Sequence, residues 1–269
     1  MSRFDTSRPL VFAHRGGCAL GPENTLAAFD LGLAAGADGL ELDVHLSADG
    51  VVVVCHDDTL ERTTAGTGPV RLRTAEELAA VDAGCRFRDA GGDFPFTGRG
   101  IGVPTLREVL ERYPGIPLIV EMKVDSAGMG RAVAAAVRDA GAQDRVCAAG
   151  YGRRALDAAR AALPDMATSA CHPEVRMAVY RSLAGWPVRH VPYAMYQVPE
   201  RAGIVRVVSP RFLRHAHAAR LRVQVWTVDE EAAMRRLLDW GADGLISNRP
   251  DVAVRVRDHW RAAAHRLPR

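Results

Sequence analysis

Short apolar runs alternate along the chain with segments whose apolar residues recur at helical spacing. The runs predict strands at Leu10–Ala13, Leu40–Val44, Pro117–Met122, Val146–Ala149, Met166–Ala170, Val205–Ser209, Val223–Thr227 and Gly244–Ser247. The amphipathic segments predict helices over Leu106–Arg112, Arg131–Ala140, Ala155–Ala162, Glu174–Leu183, Phe212–Ala219, Glu231–Trp240 and Val252–Ala264. Asn24 is placed to cap a further helix, which runs to about Ala35 and closes at Gly36. Such alternation predicts parallel βα units. Val51–Cys55 follows a turn at Asp49-Gly50 and predicts a hairpin-like extension of the second strand. Val188–Met195 fits either a strand or an ordered loop.

From about Asp57 to Pro104 the rhythm breaks. This stretch is rich in Gly, Thr, Arg and Asp, carries one helical patch at Thr74–Val81, and reads as an insertion between a strand and its helix. Without the hairpin extension there are eight strands, each followed by a helix. The predicted fold class is therefore α/β, a (β/α)8 TIM barrel with a small insertion after strand 2. An open doubly wound sheet is the alternative, weakened by the lack of a GxGxxG turn after the first strand. One such barrel takes roughly 250 residues, so residues 1–269 are expected to form a single domain with 57–104 inserted.

Composition narrows the function classes. The net charge is +3, and charges of both signs are interleaved with no basic block. Arg255–Arg269 is mildly basic and reads as a solvated last helix. No nucleic-acid partner and no stable membrane insertion are expected. The five cysteines are widely spaced with no CxxC pair, which argues against a zinc ribbon or a disulfide framework and fits a reducing compartment. Met1–Pro9 is polar, and no apolar run approaches the roughly 20 residues of a membrane span, so a cytoplasmic protein is expected.

Polar residues at strand ends carry the candidate chemistry, because active sites of such barrels lie at the C-terminal face. His14-Arg15 ends strand one, His56-Asp57 follows the Val51–Cys55 run, and Trp226-Thr227 ends strand seven. Glu41 and Asp43 share one face of strand two, with Leu40, Leu42 and Val44 on the other. Glu121 and Lys123 repeat the two-residue spacing near the end of strand three. Inward carboxylates must be neutralised or coordinated. Three of them from adjacent strands suit a hard divalent cation, Mg²⁺ or Ca²⁺. The alternative is a structural ion network with Arg15 and Lys123.

His14 and His56 suit an acid–base pair, against the plainer reading of satisfied hydrogen-bonding groups. Their place beside the carboxylates favours catalysis. His45 falls where its strand should end and reads as structural. His172, His190, His215, His217, His259 and His265 have no comparable context. Arg15 offers a fork, and Lys123 a point charge, to an anionic oxygen. Trp226 is either core or a wall of the substrate pocket. Gly16-Gly17 permit an unusual turn and close ligand approach.

The runs Ala13–Gly17, Pro22–Thr25, Glu41–Val44, His56-Asp57 and Leu60–Thr64 together resemble the N-terminal signature of glycerophosphodiester phosphodiesterases. Val120–Lys123, Val225–Val228 and Gly241–Pro250 resemble that family's later motifs. The resemblance spans about Val11 to Pro250. It implies a (β/α)8 barrel with an insertion after strand two and a divalent metal held by Glu41, Asp43 and Glu121. It also implies His14 and His56 as the acid–base pair, and Arg15 and Lys123 on the phosphate. The implied substrate is a small glycerophosphodiester such as glycerophosphocholine, hydrolysed to glycerol 3-phosphate and an alcohol in lipid and glycerol metabolism. About Gly150 to Gly203 shows no family motif, and residues around Tyr193–Gln197 are candidates for choosing the alcohol.

The rivals are a lysophospholipase D-like or sphingomyelinase D-like hydrolase, which needs an apolar groove at the barrel mouth, and a non-catalytic phosphoester-binding barrel. A sugar-phosphate isomerase or aldolase on the same fold is a further rival. It needs a Schiff-base lysine or an enolising carboxylate.

Overall fold

The computed structural model describes residues 3–4 and 8–264, so His265 and the last residues of the basic tail lie outside it. Its strands are β1 (Leu10–Ala13), β2 (Gly39–Leu46), β3 (Val52–Val54), β4 (Leu118–Met122), β5 (Val146–Gly150), β6 (Ala167–Thr168), β7 (Met195–Pro199), β8 (Arg201–Ala202), β9 (Val205–Arg206), β10 (Arg222–Trp226) and β11 (Gly244–Ser247). The helices are α1 (Leu26–Ala34), α2 (Ala75–Ala80), α3 (Leu106–Arg112), α4 (Ala127–Asp139), α5 (Arg153–Ala162), α6 (His172–Ala184), α7 (Pro210–Ala218), α8 (Glu231–Trp240) and α9 (Pro250–Ala264). Among the described residues no helix is long and apolar enough to cross a membrane.

Eight strands pair in parallel in the order β6-β5-β4-β2-β1-β11-β10-β7. The two ends of that order meet through a parallel bridge between Ser169 and Met195. Two backbone bonds reinforce it, Ala194 N–H to the Thr168 carbonyl at 3.0 Å and Ala170 N–H to the Met195 carbonyl at 2.9 Å. The result is the predicted (β/α)8 barrel.

Period-two alternation explains why the strands are apolar on both faces. Leu40, Leu42, Val44, Leu118, Val120 and Met122 pack outward into the layer beneath α3 and α4. Leu10, Phe12, Ile119, Cys147, Met195 and Ile246 fill the barrel itself, with Phe4 stacked on Phe12 at 5.9 Å. Burying each such side chain contributes about 1.5–3 kcal/mol. Towards the C-terminal face the inward positions turn polar.

A hairpin through Gly50, at φ +78°, returns β3 antiparallel to β2, with Val44 opposite Val54. The long excursion from β3 to α3 has its own apolar cluster of Val53, Cys55, Leu60, Val70, Leu78 and Val103. Within it, Thr74 and Glu77 form a reciprocal capping box on α2.

Two expectations are corrected. Val205–Ser209 is not the sixth barrel strand; Met195–Pro199 is, paired with β10 from Met195 to Pro199. In β7, Tyr196 and Val198 are buried in the outer layer with Phe212, while Met195 fills the barrel and Gln197 faces its cavity. Val205–Arg206 instead folds back on Arg201–Ala202. The Ser209 hydroxyl already caps α7 by accepting from Phe212 N–H, which leaves no room for a strand before the helix. The second correction concerns Asn24. Thr25 is the cap of α1, accepting from Ala28 N–H, and Asn24 takes a left-handed φ of +59° for another purpose.

Candidate active site at the barrel mouth

Three carboxylates meet at the C-terminal face. β2 and β4 are neighbours, and their register sets Asp43 directly against Glu121. Glu41 lies on the same face of β2, two residues earlier. One oxygen from each lies within 4.8 Å of the others. Glu41 and Asp43 are buried, at 4% and 1% exposure. Burial, then the charges of Asp43 and Glu121, pushes the Glu41 carboxyl well above the usual carboxylate range.

Two cations share the cage. Lys123 Nζ lies 3.1 Å from Glu121 and 3.3 Å from Asp43. Arg15 Nε lies 3.2 Å from Asp43, and its Nη1 donates to Glu23 at 2.8 Å. Burial alone would lower both side chains, but Asp43 first, with Glu121 and Glu23, holds each above its ordinary value. Lys123 is the single lysine of the chain. Among the described residues neither cation pairs its side chain with Glu41, which accepts the Arg15 backbone N–H at 3.0 Å and faces His14 Nε2 at 3.8 Å. The residual negative charge and three hard oxygen donors fit a divalent cation.

The turn after β1 aims His14 at this cage. Arg15, Gly16 and Gly17 all take positive φ, and a Cβ on Gly16 would stand 2.6 Å from the Phe29 ring. His14 Nδ1 is 2.6 Å from Asn248 Oδ1. Asn248 Nδ2 and its backbone N–H both donate to Asp229, at 2.7 and 2.8 Å. With the amide nitrogen spent there, Oδ1 accepts from His14, so Nδ1 carries the proton and Nε2 presents its lone pair. Burial lowers the His14 pKa, and the Asn248 hydrogen bond offsets part of that effect.

His56 reaches the same rim from the end of β3. Its Nδ1 lies 2.6 Å from Asp57. Arg62 donates to Asp57 at 2.5 and 2.9 Å and to Glu23 at 2.8 Å twice. Arg62, and then His56, hold the Asp57 carboxyl below its usual range. An unbroken chain thus runs from His56 through Asp57, Arg62, Glu23 and Arg15 to Asp43. His45 lies within β2, which runs on to Leu46 past the predicted end at Val44; it is buried and sets its Nε2 3.1 Å from the His56 carbonyl.

Trp226 is 43% exposed at the end of β10, so it is not core. It shares a cavity of about 260 Å³ with Glu121, Tyr151, Gln197, Val198 and Ile246. Gln197 is the one residue of Tyr193–Gln197 on that wall. Tyr193 and Tyr196 turn to each other outside the barrel, with hydroxyls 3.2 Å apart.

Several site residues were not assigned to the site from sequence. Asn24 Nδ2 donates to Asp43 at 3.0 Å, and Asn24 Oδ1 accepts from Asp43 N–H at 3.2 Å. Glu23, Arg62, Asn248 and Asp229 complete the network. All but Asp229 lie in the motif runs, which was the available signal; their pairings appear only on folding.

The model of the Glycerophosphoryl diester phosphodiesterase family matches residues 14–252. A glycerophosphodiester phosphodiesterase of Caldanaerobacter subterraneus subsp. tengcongensis is 31% identical over 257 residues, 93% of this chain and 98% of the relative. A crystal structure of glycerophosphodiester phosphodiesterase from Agrobacterium tumefaciens str. C58 is 30% identical, with a TM-score of 0.74 over 92% of this chain and 99% of that one. A phosphodiesterase from Oleispira antarctica, solved in complex with the product sn-glycerol-3-phosphate, is 26% identical, with a TM-score of 0.73 over 93% and 97% of the two chains.

Proposed function

The chain belongs to the glycerophosphoryl diester phosphodiesterase family, and from that membership we propose that it hydrolyses a glycerophosphodiester to glycerol 3-phosphate and an alcohol. The observation that carries this reading is the cage of Glu41, Asp43 and Glu121, with His14 Nε2 open towards it and Arg15 and Lys123 on its flank. The product held by the Oleispira antarctica relative supports glycerol 3-phosphate as the retained half.

Mg²⁺ or Ca²⁺ held by the three carboxylates supplies, when bound, a Lewis acid for a phosphoryl oxygen. Arg15 and Lys123 stabilise charge that grows on the equatorial oxygens. His14, protonated at Nδ1, accepts on Nε2 the proton of the attacking oxygen, that of water directly or of the glycerol hydroxyl, in which case water then opens the cyclic phosphate. His56 protonates the leaving alkoxide, and Asp57 steadies its imidazole. Trp226 walls the bound diester. Lys123 sits among carboxylates that keep its ammonium charged, the opposite of what a Schiff-base lysine requires.

The test is turnover of glycerophosphocholine by His14→Ala and His56→Ala. Each is expected to lose about 10²–10⁴ in kcat while melting like the wild type. Wild-type rates in either folded variant would overturn the pair. The cavity beside Trp226 also favours a second reading, because Ile119, Ala149, Val175, Val198 and Ile246 make its lining largely apolar. A lysophospholipase D-like enzyme would use it for an acyl chain, and faster cleavage of lysophosphatidylcholine than of glycerophosphocholine would favour that reading.

A further inference from the structure

A second cavity, of about 270 Å³, opens on the other flank of the site, between the loop after β1 and the excursion from β3. Its lining includes Cys18, Glu23, Arg62, Arg86 and Arg88. It touches the catalytic network twice. The Cys18 thiol donates to Asn248 Oδ1, the acceptor of His14, at 2.7 Å, and Glu23 binds both Arg15 and Arg62.

The charge balance in this cavity is positive. The Glu23 carboxylate is already bound by two arginines, which hold it below its usual range against the effect of burial. Arg62 is spent on Glu23 and Asp57. Arg86 and Arg88 have no carboxylate within ion-pairing distance among the described residues. Each is anchored through Nε to a backbone carbonyl, Arg86 to Thr64 at 3.3 Å and Arg88 to Gly92 at 3.0 Å. That anchoring leaves the two Nη groups of each guanidinium as unspent donors on a fixed stem, the arrangement that matches phosphate oxygens. Gly92, at φ +93°, lies under Arg88; a Cβ there would stand 3.0 Å from Nη2. The nearby Asp82 already accepts from Gly84 N–H and Gly98 N–H, and Asp89 from Asp93 N–H.

We propose that this cavity is a subsite for the alcohol half of the substrate, and that Arg86 and Arg88 select alcohols carrying a second phosphate. The proposal rests on the barrel mouth being a phosphodiester site. A diester seated at the cage has two substituents; the apolar cavity shares Glu121 with the cage, and the arginine-lined one is joined to it through Glu23 and Arg15. The apolar one beside Trp226 offers no cation to a second anion; the arginine-lined one does.

The test compares bis(glycerophospho)glycerol, whose leaving alcohol carries a second phosphodiester, with glycerophosphocholine. Both are assayed for turnover, and the first also for binding by calorimetry, in the wild type and in Arg86→Gln/Arg88→Gln. The double variant should raise KM for the doubly anionic compound about tenfold, the loss of roughly one charge-assisted hydrogen bond, with kcat unchanged. Glycerophosphocholine kinetics should not move, and the wild-type preference should shrink as salt is raised. Equal kinetics for both compounds in wild type and variant would overturn the subsite while leaving the phosphodiesterase reading intact. If the wild type cleaves neither compound, the phosphodiesterase reading fails. Calorimetry then decides the subsite, since unchanged binding in the variant refutes it and weakened binding keeps it. Should the double variant not fold, Arg88→Gln alone carries the same comparison, because its side chain is exposed.

Discussion

His14 can accept a proton only if Nε2 is bare, and that is settled by side chains far away in sequence. Asn248, 234 residues on, accepts from Nδ1, and Asp229 fixes which end of the Asn248 amide faces the imidazole. Asp229 reaches His14 only through Asn248, so in the proposed mechanism it is a positioning residue. Asp229→Ala is expected to lower kcat about 10–100-fold with little change in KM, the usual cost of losing an orienting partner. Nitrogen NMR should show His14 moving away from a single Nδ1–H tautomer; an unchanged tautomer with full activity would contradict the relay. The carboxylates were legible from sequence because strand period two puts Glu41 and Asp43 on one face. Asn24 was misread, because Asn caps helices as readily as it hydrogen-bonds a carboxylate. Arg62 and Glu23 gave no local sign of being partners, since 39 residues separate them.

Between elements, the aim of the β1 turn depends on how closely α1 can approach it. Gly32 lies inside α1, where Ala would ordinarily stabilise by about 0.5–1 kcal/mol. Here a Cβ would stand 2.5 Å from the Gly16 carbonyl oxygen and 2.7 Å from the Ala13 Cβ. The clash is with backbone, so the sign reverses. Gly32→Ala is expected to destabilise by about 1–3 kcal/mol in urea unfolding and to lower turnover by shifting His14. A more stable Gly32→Ala variant would contradict this packing. The same long-range packing explains the misplaced sixth strand. Met195–Pro199 and Val205–Ser209 are both short apolar runs, and only pairing with β10 and burial against Phe212 tells them apart.

For the whole molecule, the alternation of runs and amphipathic segments was enough to foresee the barrel. Which residues close it between β6 and β7 was not legible, because among the described residues that seam rests on the Ser169–Met195 bridge. Stability is also set at the N-terminal end of the barrel, away from the chemistry. There Asp243 binds His217 at 2.8 Å, Arg222 at 2.9 Å and the Val223 N–H at 2.8 Å. The Asp243 hydrogen bond raises the His217 pKa. A raised pKa means that folding favours the protonated imidazole. This contribution is full below the unfolded value of about 6.5 and fades as pH rises through the higher folded value. His217→Gln should therefore cost about 0.5–1 kcal/mol near pH 6, discounted for a half-exposed pair, and nothing at strongly alkaline pH. Turnover should be unaffected, and a pH-independent loss of stability would contradict the ion pair.

The most direct measurement is turnover of glycerophosphocholine after chelator stripping, with single divalent ions returned in turn. Turnover should vanish on stripping and return with Mg²⁺ or Ca²⁺ in the wild type, but not in Glu41→Gln or Glu121→Gln. Full turnover in stripped protein, or restoration in both variants, would contradict a cation held by Glu41, Asp43 and Glu121.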